Sequence, residues 1–194
     1  MPVEIKQRRT AVMFNEDEHI KQDSSKEALT NLTSAFKKDG SVTAGNSSGI
    51  NDGTASVVLA NEKLTQSIRN EPMAQIISYG FGGVSPRIMG MGPVPASKMA
   101  LEKAGLKISD LDVIESNEAF AAQACAVSKA LEIPSDIVNP NGGAIALGHP
   151  VGATGAIILT KLVHELIRIN GRYGMATMCI GGGQGISVIV DALI

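Results

Sequence analysis

The spacing of apolar residues changes character near Met73, and beyond it regular periods follow one another. Ala74–Tyr79 (AQIISY) predicts a strand, and Ala96–Ala104 a helix stopped by Gly105. Between them, Phe81–Pro93 (FGGVSPRIMGMGP) reads as a loop. Asp112–Glu115 predicts a short strand and Glu118–Leu131 a helix. A long helix follows from about Gly152 to Ile169, with Ile157, Ile158, Leu162 and Leu166 at helical spacing. Tyr173–Ile180 and Ile186–Val190 predict strands joined by a glycine loop, and so an antiparallel pair. Strands alternating with helices imply an α/β layered sheet.

Before Met73 the signal is weaker. Residues 1 to about 40 are polar and predicted irregular, except Lys26–Phe36, where Ala28, Leu29, Leu32, Ala35 and Phe36 fall at helical spacing. Such a stripe is ordinarily a core-facing helix face. Thr43–Gly53 (TAGNSSGINDG) is a Gly/Asn/Ser loop, and a helix is predicted from Thr54 to about Lys63. Asp52 near its start suits a helix N-terminus, where a carboxylate meets unpaired amides and the positive dipole end.

Composition narrows the class. The chain is 44% hydrophobic and 19% charged, ordinary for a globular protein, while 21 glycines and 3% aromatics suit close helix–sheet contacts. A net charge of −2 argues against a nucleic-acid surface, and the short basic cluster Lys6, Arg8, Arg9 reads as a solvated face. Cys125 and Cys179 are too few for a disulfide scaffold, which makes a reducing compartment the default. No apolar run approaches the roughly 18 residues that would span a membrane, and Met1–Thr10 has neither a signal-peptide nor a transit-peptide pattern. A cytoplasmic location is the default expectation.

Candidate chemistry gathers in three stretches. Asn139–Ala156 (NPNGGAIALGHPVGATGA) surrounds one imidazole, His149, with glycines and prolines that dictate the backbone path. Ser116–Val127 (SNEAFAAQACAV) and Cys179–Gly185 (CIGGGQG) are the others. Amides of a glycine loop can converge on a thiolate or oxyanion, although a strand cysteine is as often a core residue. CIGGGQG lacks the Lys-Ser/Thr of a P-loop and the GxGxxG spacing, which ranks an unrelated nucleotide binder last.

Taken together, Asn117-Glu118-Ala119-Phe120, Gly142–Pro150 and Cys179–Gly183, in that order, resemble the C-terminal half of the thiolases, specifically an acetyl-CoA acetyltransferase of the biosynthetic type. Thr43–Gly53 adds a fourth match, so the resemblance covers nearly the whole chain. It implies a layered α/β fold. Residues 1–50 would be the remainder of the loop domain that covers CoA, 51–72 the last elements of the N-terminal core domain, and 73–194 a complete C-terminal core domain of βαβαβαββ type. SGINDG favours the short-chain biosynthetic branch, while NPNGG and GATGA lean towards the longer-chain 3-ketoacyl-CoA thiolases.

The resemblance also implies roles. Cys179 is the acid/base that exchanges the α-proton, and the Gly181 amide is part of an oxyanion hole. His149 activates the nucleophilic cysteine and donates to the second acyl oxygen, beside a water held by Asn117; Glu118 orients its neighbours. Ser48, Ala44, Leu32, Phe36, Met89, Ala119, Phe120 and Lys21 line the coenzyme A site, Lys21 standing where relatives carry an arginine near the phosphates. Cys125 is expected to be structural and His164 to lie on the surface, while His19 matches nothing. Acetyl-CoA and coenzyme A are substrates, and neither a metal nor a permanently bound cofactor is implied. Relatives form dimers or tetramers, so a homo-oligomer is expected.

The family's nucleophilic cysteine sits in a Cys-x-Ser-Gly context that this sequence lacks, and Cys125, followed by Ala126-Val127-Ser128, cannot replace it. The expected activity is reversible condensation of two acetyl-CoA to acetoacetyl-CoA plus CoA, in company with an N-terminal thiolase half. The alternative is a catalytically incomplete fragment that keeps acyl-CoA or partner binding.

Overall fold

The computed structural model describes residues 2–8, 10–67 and 71–193. Arg9 of the basic cluster lies outside them, as do residues 68–70 near the anticipated boundary. Two strands, β1 (Val3–Lys6) and β2 (Ala11–Phe14), pair antiparallel in a segment expected to be irregular. Short helices α1 (Lys26–Thr30) and α2 (Glu62–Ser67) follow. Next come β3 (Ala74–Gly83), a 3₁₀ turn over Pro86–Met91, and α3 (Pro93–Ala104). β4 (Val113–Ser116), α4 (Ala121–Leu131), α5 (Ala144–Leu147), α6 (Thr154–Ile169), β5 (Tyr173–Ile180) and β6 (Gln184–Ala192) complete the chain.

The main sheet runs β3-β6-β5-β4, with β4 parallel to β5 and the other two pairings antiparallel. Alternation along the strands builds a core on each face. Ile114, Met175 and Ile189 pack with Ala100 and Leu101 of α3 and Val127 and Leu131 of α4. Their neighbours Val113, Ala176 and Val190 point the other way, onto Ile158, Leu162 and Leu166 of α6. The sheet is thus a middle layer buried on both faces, and each fully buried Leu or Ile contributes about 1.5–3 kcal/mol. The anticipated βαβαβαββ order holds with one reduction. The strand expected between α4 and α6 is a single parallel bridge, Ile114 to Val138, because Asn139 takes a positive φ of 46° and turns the chain away.

Two predicted helices are corrected. Lys26–Phe36 is helical only to Thr30, capped by the Ser25 hydroxyl. The chain then doubles back, pairing Ser34 with Thr43 through a turn in which Asp39 has φ 59°. No helix spans Thr54–Lys63, so Asp52 caps none; helix begins only at Glu62, where the Asn61 side chain accepts from the Leu64 amide. Helices this short take their stability from burying a face, and here Val58 and Leu59 are 95% and 71% exposed. The α4 helix starts at Ala121 rather than Glu118, and the three residues released form part of the site below.

Candidate active site

Asn117 leaves the C-terminal end of β4, where its amide donates to the Thr177 carbonyl of β5 at 2.9 Å. Two residues further along β5 lies Cys179, 7% exposed. Asn117 and Cys179 thus share the carboxyl ends of two parallel strands, the usual edge for ligands in open α/β sheets. Beneath them the Ser97, Thr177 and Ser187 hydroxyls interlink at 2.7–3.3 Å, which satisfies these buried polar groups between α3 and the sheet.

His149 reaches the same edge from the loop before α6. Its backbone amide donates to Asn51 Oδ1 at 3.0 Å, and Ile50 pairs with it as a parallel bridge. Gly148, at φ 96°, has no room for a side chain against Asn51. The ring is flanked by two partners. Thr154 Oγ1 lies 2.7 Å from Nδ1 and itself donates to the Pro150 carbonyl at 2.9 Å. The Asn117 side-chain nitrogen only donates, and its place 3.4 Å from Nε2 favours the tautomer that carries its hydrogen on Nδ1. Nε2 therefore presents its lone pair to the Asn117 Nδ2 amide at 3.4 Å. Burial lowers the His149 pKa below its ordinary value and raises that of the Cys179 thiol. The resting site holds a neutral imidazole and a protonated thiol. Such an imidazole can take a proton, and a thiol held high becomes a strong base once ionised.

Glu118 holds the loop that carries His149. Its carboxylate accepts from Asn139 Nδ2 and from the Ile145 amide, both at 3.3 Å, and a side chain at Gly143 would collide with it. Asn139 also brackets the Ser116 backbone, accepting from its amide at 2.9 Å and donating to its carbonyl at 2.8 Å. Next to it, Lys161 of α6 bonds Glu115 Oε2 at 2.8 Å and the Gly142 carbonyl at 2.7 Å.

The structure therefore brings Asn117, His149 and Cys179 to one sheet edge. Ser48 joins them through its backbone, donating to the Ala119 carbonyl at 3.0 Å. Phe120 is half-buried rather than core, and Phe36 stands edge-on to it at 6.0 Å. Leu32 is exposed and touches Gly45 of the serine loop; Ala44 is exposed beside it. Met89 is half-buried in the 3₁₀ turn, and Val84, two residues before that turn, donates to the Gly183 carbonyl at 2.7 Å. Gly181 is exposed with open space on its Cβ side. Lys21 is exposed and, among the described residues, bonds only its own turn, at the Glu18 carbonyl. Cys125 is exposed rather than packed, and His164 is on the surface as expected. Among the described residues no cluster could hold a metal, and no helix is long and apolar enough to cross a membrane.

Sequence reasoning missed Asn51, Asn139 and Thr154, which position the site, and His19, whose ring lies 3.2 Å from the Ile145 carbonyl. Asn139 opens the NPNGG stretch and Thr154 lies five residues after His149, within the GATGA stretch, so both carried a local signal. Asn51 stands in the quoted SGINDG stretch, but nothing there pointed to a partner 98 residues on.

A three-layer α/β domain with an amide, an imidazole and a thiol at the ends of its parallel strands defines the class. The chain matches the thiolase C-terminal domain over residues 70–192 and the thiolase N-terminal domain over residues 1–63, and it belongs to the thiolase family. It is 54% identical over 194 residues to the beta-ketothiolase BktB of Cupriavidus necator, covering all of this chain and 49% of that protein. It is 52% identical over 193 residues to the acetyl-CoA acetyltransferase of Escherichia coli, with the same coverage. The crystal structure of the Bacillus anthracis acetyl-CoA acetyltransferase superposes at a TM-score of 0.94 with 48% identity, covering 100% of this chain and 49% of that one. The chain thus spans about half the length of the relatives it matches.

Proposed function

We propose that this chain is the C-terminal portion of an acetyl-CoA acetyltransferase, contributing the acid/base half of a site that condenses two acetyl-CoA reversibly to acetoacetyl-CoA and CoA. The observation that carries the reading is the His149 ring, held at Nδ1 by Thr154 and with Nε2 3.4 Å from the Asn117 side-chain amide, at the strand edge that holds the Cys179 thiol. His149 takes the proton of a nucleophilic cysteine supplied from the half of the relatives that this chain does not span. That cysteine accepts the first acetyl group as the acyl–CoA bond breaks, and the departing CoA thiolate takes the Cys179 proton. Cys179, as thiolate, removes the α-proton of a second acetyl-CoA as the carbon–carbon bond forms and the cysteine–acyl bond breaks. Asn117 and His149 donate to the enolate oxygen, directly or through water, and the Gly181 amide serves the acyl oxyanion.

In this reading residues 1–50 complete a CoA-covering domain, with Ser48, Ala44, Leu32, Phe36, Met89, Ala119, Phe120 and Lys21 around the coenzyme. Residues 51–72 close the N-terminal core, and 73–194 form the C-terminal core. The exposed Ile50, Val58 and Leu59 would be covered by the remaining half, and the assembled protein would be a homo-oligomer.

The test is cleavage of acetoacetyl-CoA by CoA, with the chain alone and joined to an N-terminal thiolase half. Turnover is expected only in the joined form, and Cys179→Ala should abolish it while leaving the fold intact. Turnover retained by Cys179→Ala would remove that thiol from the acid/base role. His149→Ala should slow acylation of the partner cysteine, and an unchanged acylation rate would exclude activation by the imidazole. The likeness to a beta-ketothiolase supports a second reading, a preference for longer 3-ketoacyl chains, and the ratio of rates on acetoacetyl-CoA and a longer 3-ketoacyl-CoA decides between them.

A further inference from the structure

His19 fits no motif of the sequence, yet its ring crosses from the early segment to the loop that carries His149. Its Nε2 lies 3.2 Å from the Ile145 carbonyl, 126 residues on. A carbonyl only accepts, so Nε2 carries the hydrogen and donates. The residue is half-buried and held in place from behind. Its amide donates to Asp17 Oδ1 at 2.9 Å, and a side chain at Gly49 would collide with the ring.

The carbonyl that His19 takes is the one a longer helix would have used. Helix α5 ends with the Leu147 amide on the Gly143 carbonyl and the Gly148 amide on the Ala144 carbonyl. The next bond in that series would join the His149 amide to the Ile145 carbonyl, four residues back. It does not form. The His149 amide donates to Asn51 Oδ1 at 3.0 Å instead, and the Ile145 carbonyl accepts from His19. Gly148, at φ 96°, breaks the helix between them. Both ends of the missing bond are thus taken by side chains of the early segment. Released, they would pair with each other, because a helix end leaves its last carbonyls without partners and glycine is free to take a helical φ.

We propose that His19 is a positioning residue that holds His149 out of α5. With Asn51 it keeps the Ile145 carbonyl and the His149 amide apart, so the imidazole stays turned to Asn117 at the strand edge. Ile145 is gripped from its other side as well, since its own amide donates to Glu118 Oε2 at 3.3 Å. A donor from the first twenty residues thereby sets the ring beside the sheet. The catalytic meaning rests on the function proposed above; the helix end does not.

The first test needs no turnover. In the chain labelled with nitrogen-15 at its three histidines, the His149 amide and ring resonances, assigned with His149→Asn, report on the helix end. His19→Leu keeps bulk but removes the donor, and should move both. His19→Gln places a side-chain N–H at the same end, and should leave them near their wild-type positions. His19 belongs to neither hydrophobic core, so both variants are expected to keep the sheet. If His19→Leu does not fold, His19→Ala is read in the same way. Unmoved His149 resonances in the folded donor-less chain overturn the proposal, and so does a His19→Gln chain shifted as far as His19→Leu. In the joined enzyme, His19→Leu should lower kcat by about tenfold to a hundredfold, the range for a slightly misplaced catalytic group, with KM little changed. His19→Gln should recover most of that loss. A raised KM with kcat unchanged would make His19 part of the coenzyme cover and overturn its positioning role. An inactive wild-type enzyme would refute the functional reading and leave the resonances as they are.

Discussion

The chain before Met73 and the chain after it are held by different means. After Met73, every strand of the sheet is shared between two layers, and side chains such as Leu162, Leu166, Met175 and Ile189 are fully buried. Before it, β1 and β2 bury nothing, and neither do α1 and α2. The early segment is fixed at points instead. Asn46 and Ser48 bond the backbone on either side of Phe120, Asn51 bonds His149, and His19 bonds Ile145. The later region is built around its own two-faced core, and the earlier one is draped on the edge that carries Asn117 and His149. Polar contacts to a site are therefore no sign of a core.

The largest effect should come from the core. Leu162→Ala is expected to cost about 2–5 kcal/mol, because a cavity is left between α6 and the sheet. Leu59→Ala, 71% exposed in the wild type, should change the stability of the isolated chain by no more than about 0.5 kcal/mol. Denaturant unfolding of the two variants compares the regions directly, and equal losses would erase the distinction. Next in size is Glu118→Ala, which removes the acceptor for Asn139 Nδ2 and the Ile145 amide. A loss of about 1–3 kcal/mol is expected, with hydrogen exchange rising over residues 139–149 and little changed in β5 and β6. Exchange that rises across the whole sheet would mean that Glu118 supports the domain rather than the loop.

Legibility followed the same division. Most strands and helices after Met73 were readable because a buried face forces a period on the sequence, and apart from the strand reduced to the Val138 bridge and the unpredicted α5, only their ends moved: β3 runs four residues past Tyr79, to Gly83. The helix predicted from Thr54 failed because its apolar residues meet nothing in this chain, so spacing alone had no packing to report. The hairpin of β1 and β2 was missed for the converse reason. Val3–Lys6 and Ala11–Phe14 are short and exposed at every position, so no one-sided burial marked them as strands. In the site, Asn117, His149 and Cys179 stood out through the glycines and small residues around them. Thr154 and Asn139 act through hydrogen bonds that only the folded loop defines, and their residue types are common at turns and helix starts.

Thr154 gives a finer probe of the site. Thr154→Val keeps the shape and removes the acceptor of the His149 Nδ1–H, at a cost of about 1 kcal/mol. The imidazole should then populate both neutral tautomers, and nitrogen NMR should show Nε2 partly protonated. A single unchanged tautomer would mean that Asn117, and not Thr154, sets the ring.

The smallest effect is electrostatic and lies at the rim of the domain. Glu165, on α6, has its pKa lowered to about 2 by the Arg168 guanidinium and by Asn141 Nδ2, which bonds it at 2.8 Å. The folded value lies below the ordinary 4.5, so folding favours the ionised form. The stability this supplies is fully present above about pH 5 and is lost as pH falls from the ordinary value through the folded one. Arg168 is two-thirds exposed at 66%, so solvent and salt screen the pair and the contribution is modest. Glu165→Gln should therefore be less stable than wild type near neutrality, and the difference should shrink as the pH approaches about 2. Added salt should narrow the neutral-pH gap without closing it, because the Asn141 bond is not an ion pair. A gap that stayed constant down to low pH would assign the role of Glu165 to packing beside Leu162 and Leu166. One that widened would place the titrating group elsewhere, in the part of the chain that the sheet does not bury.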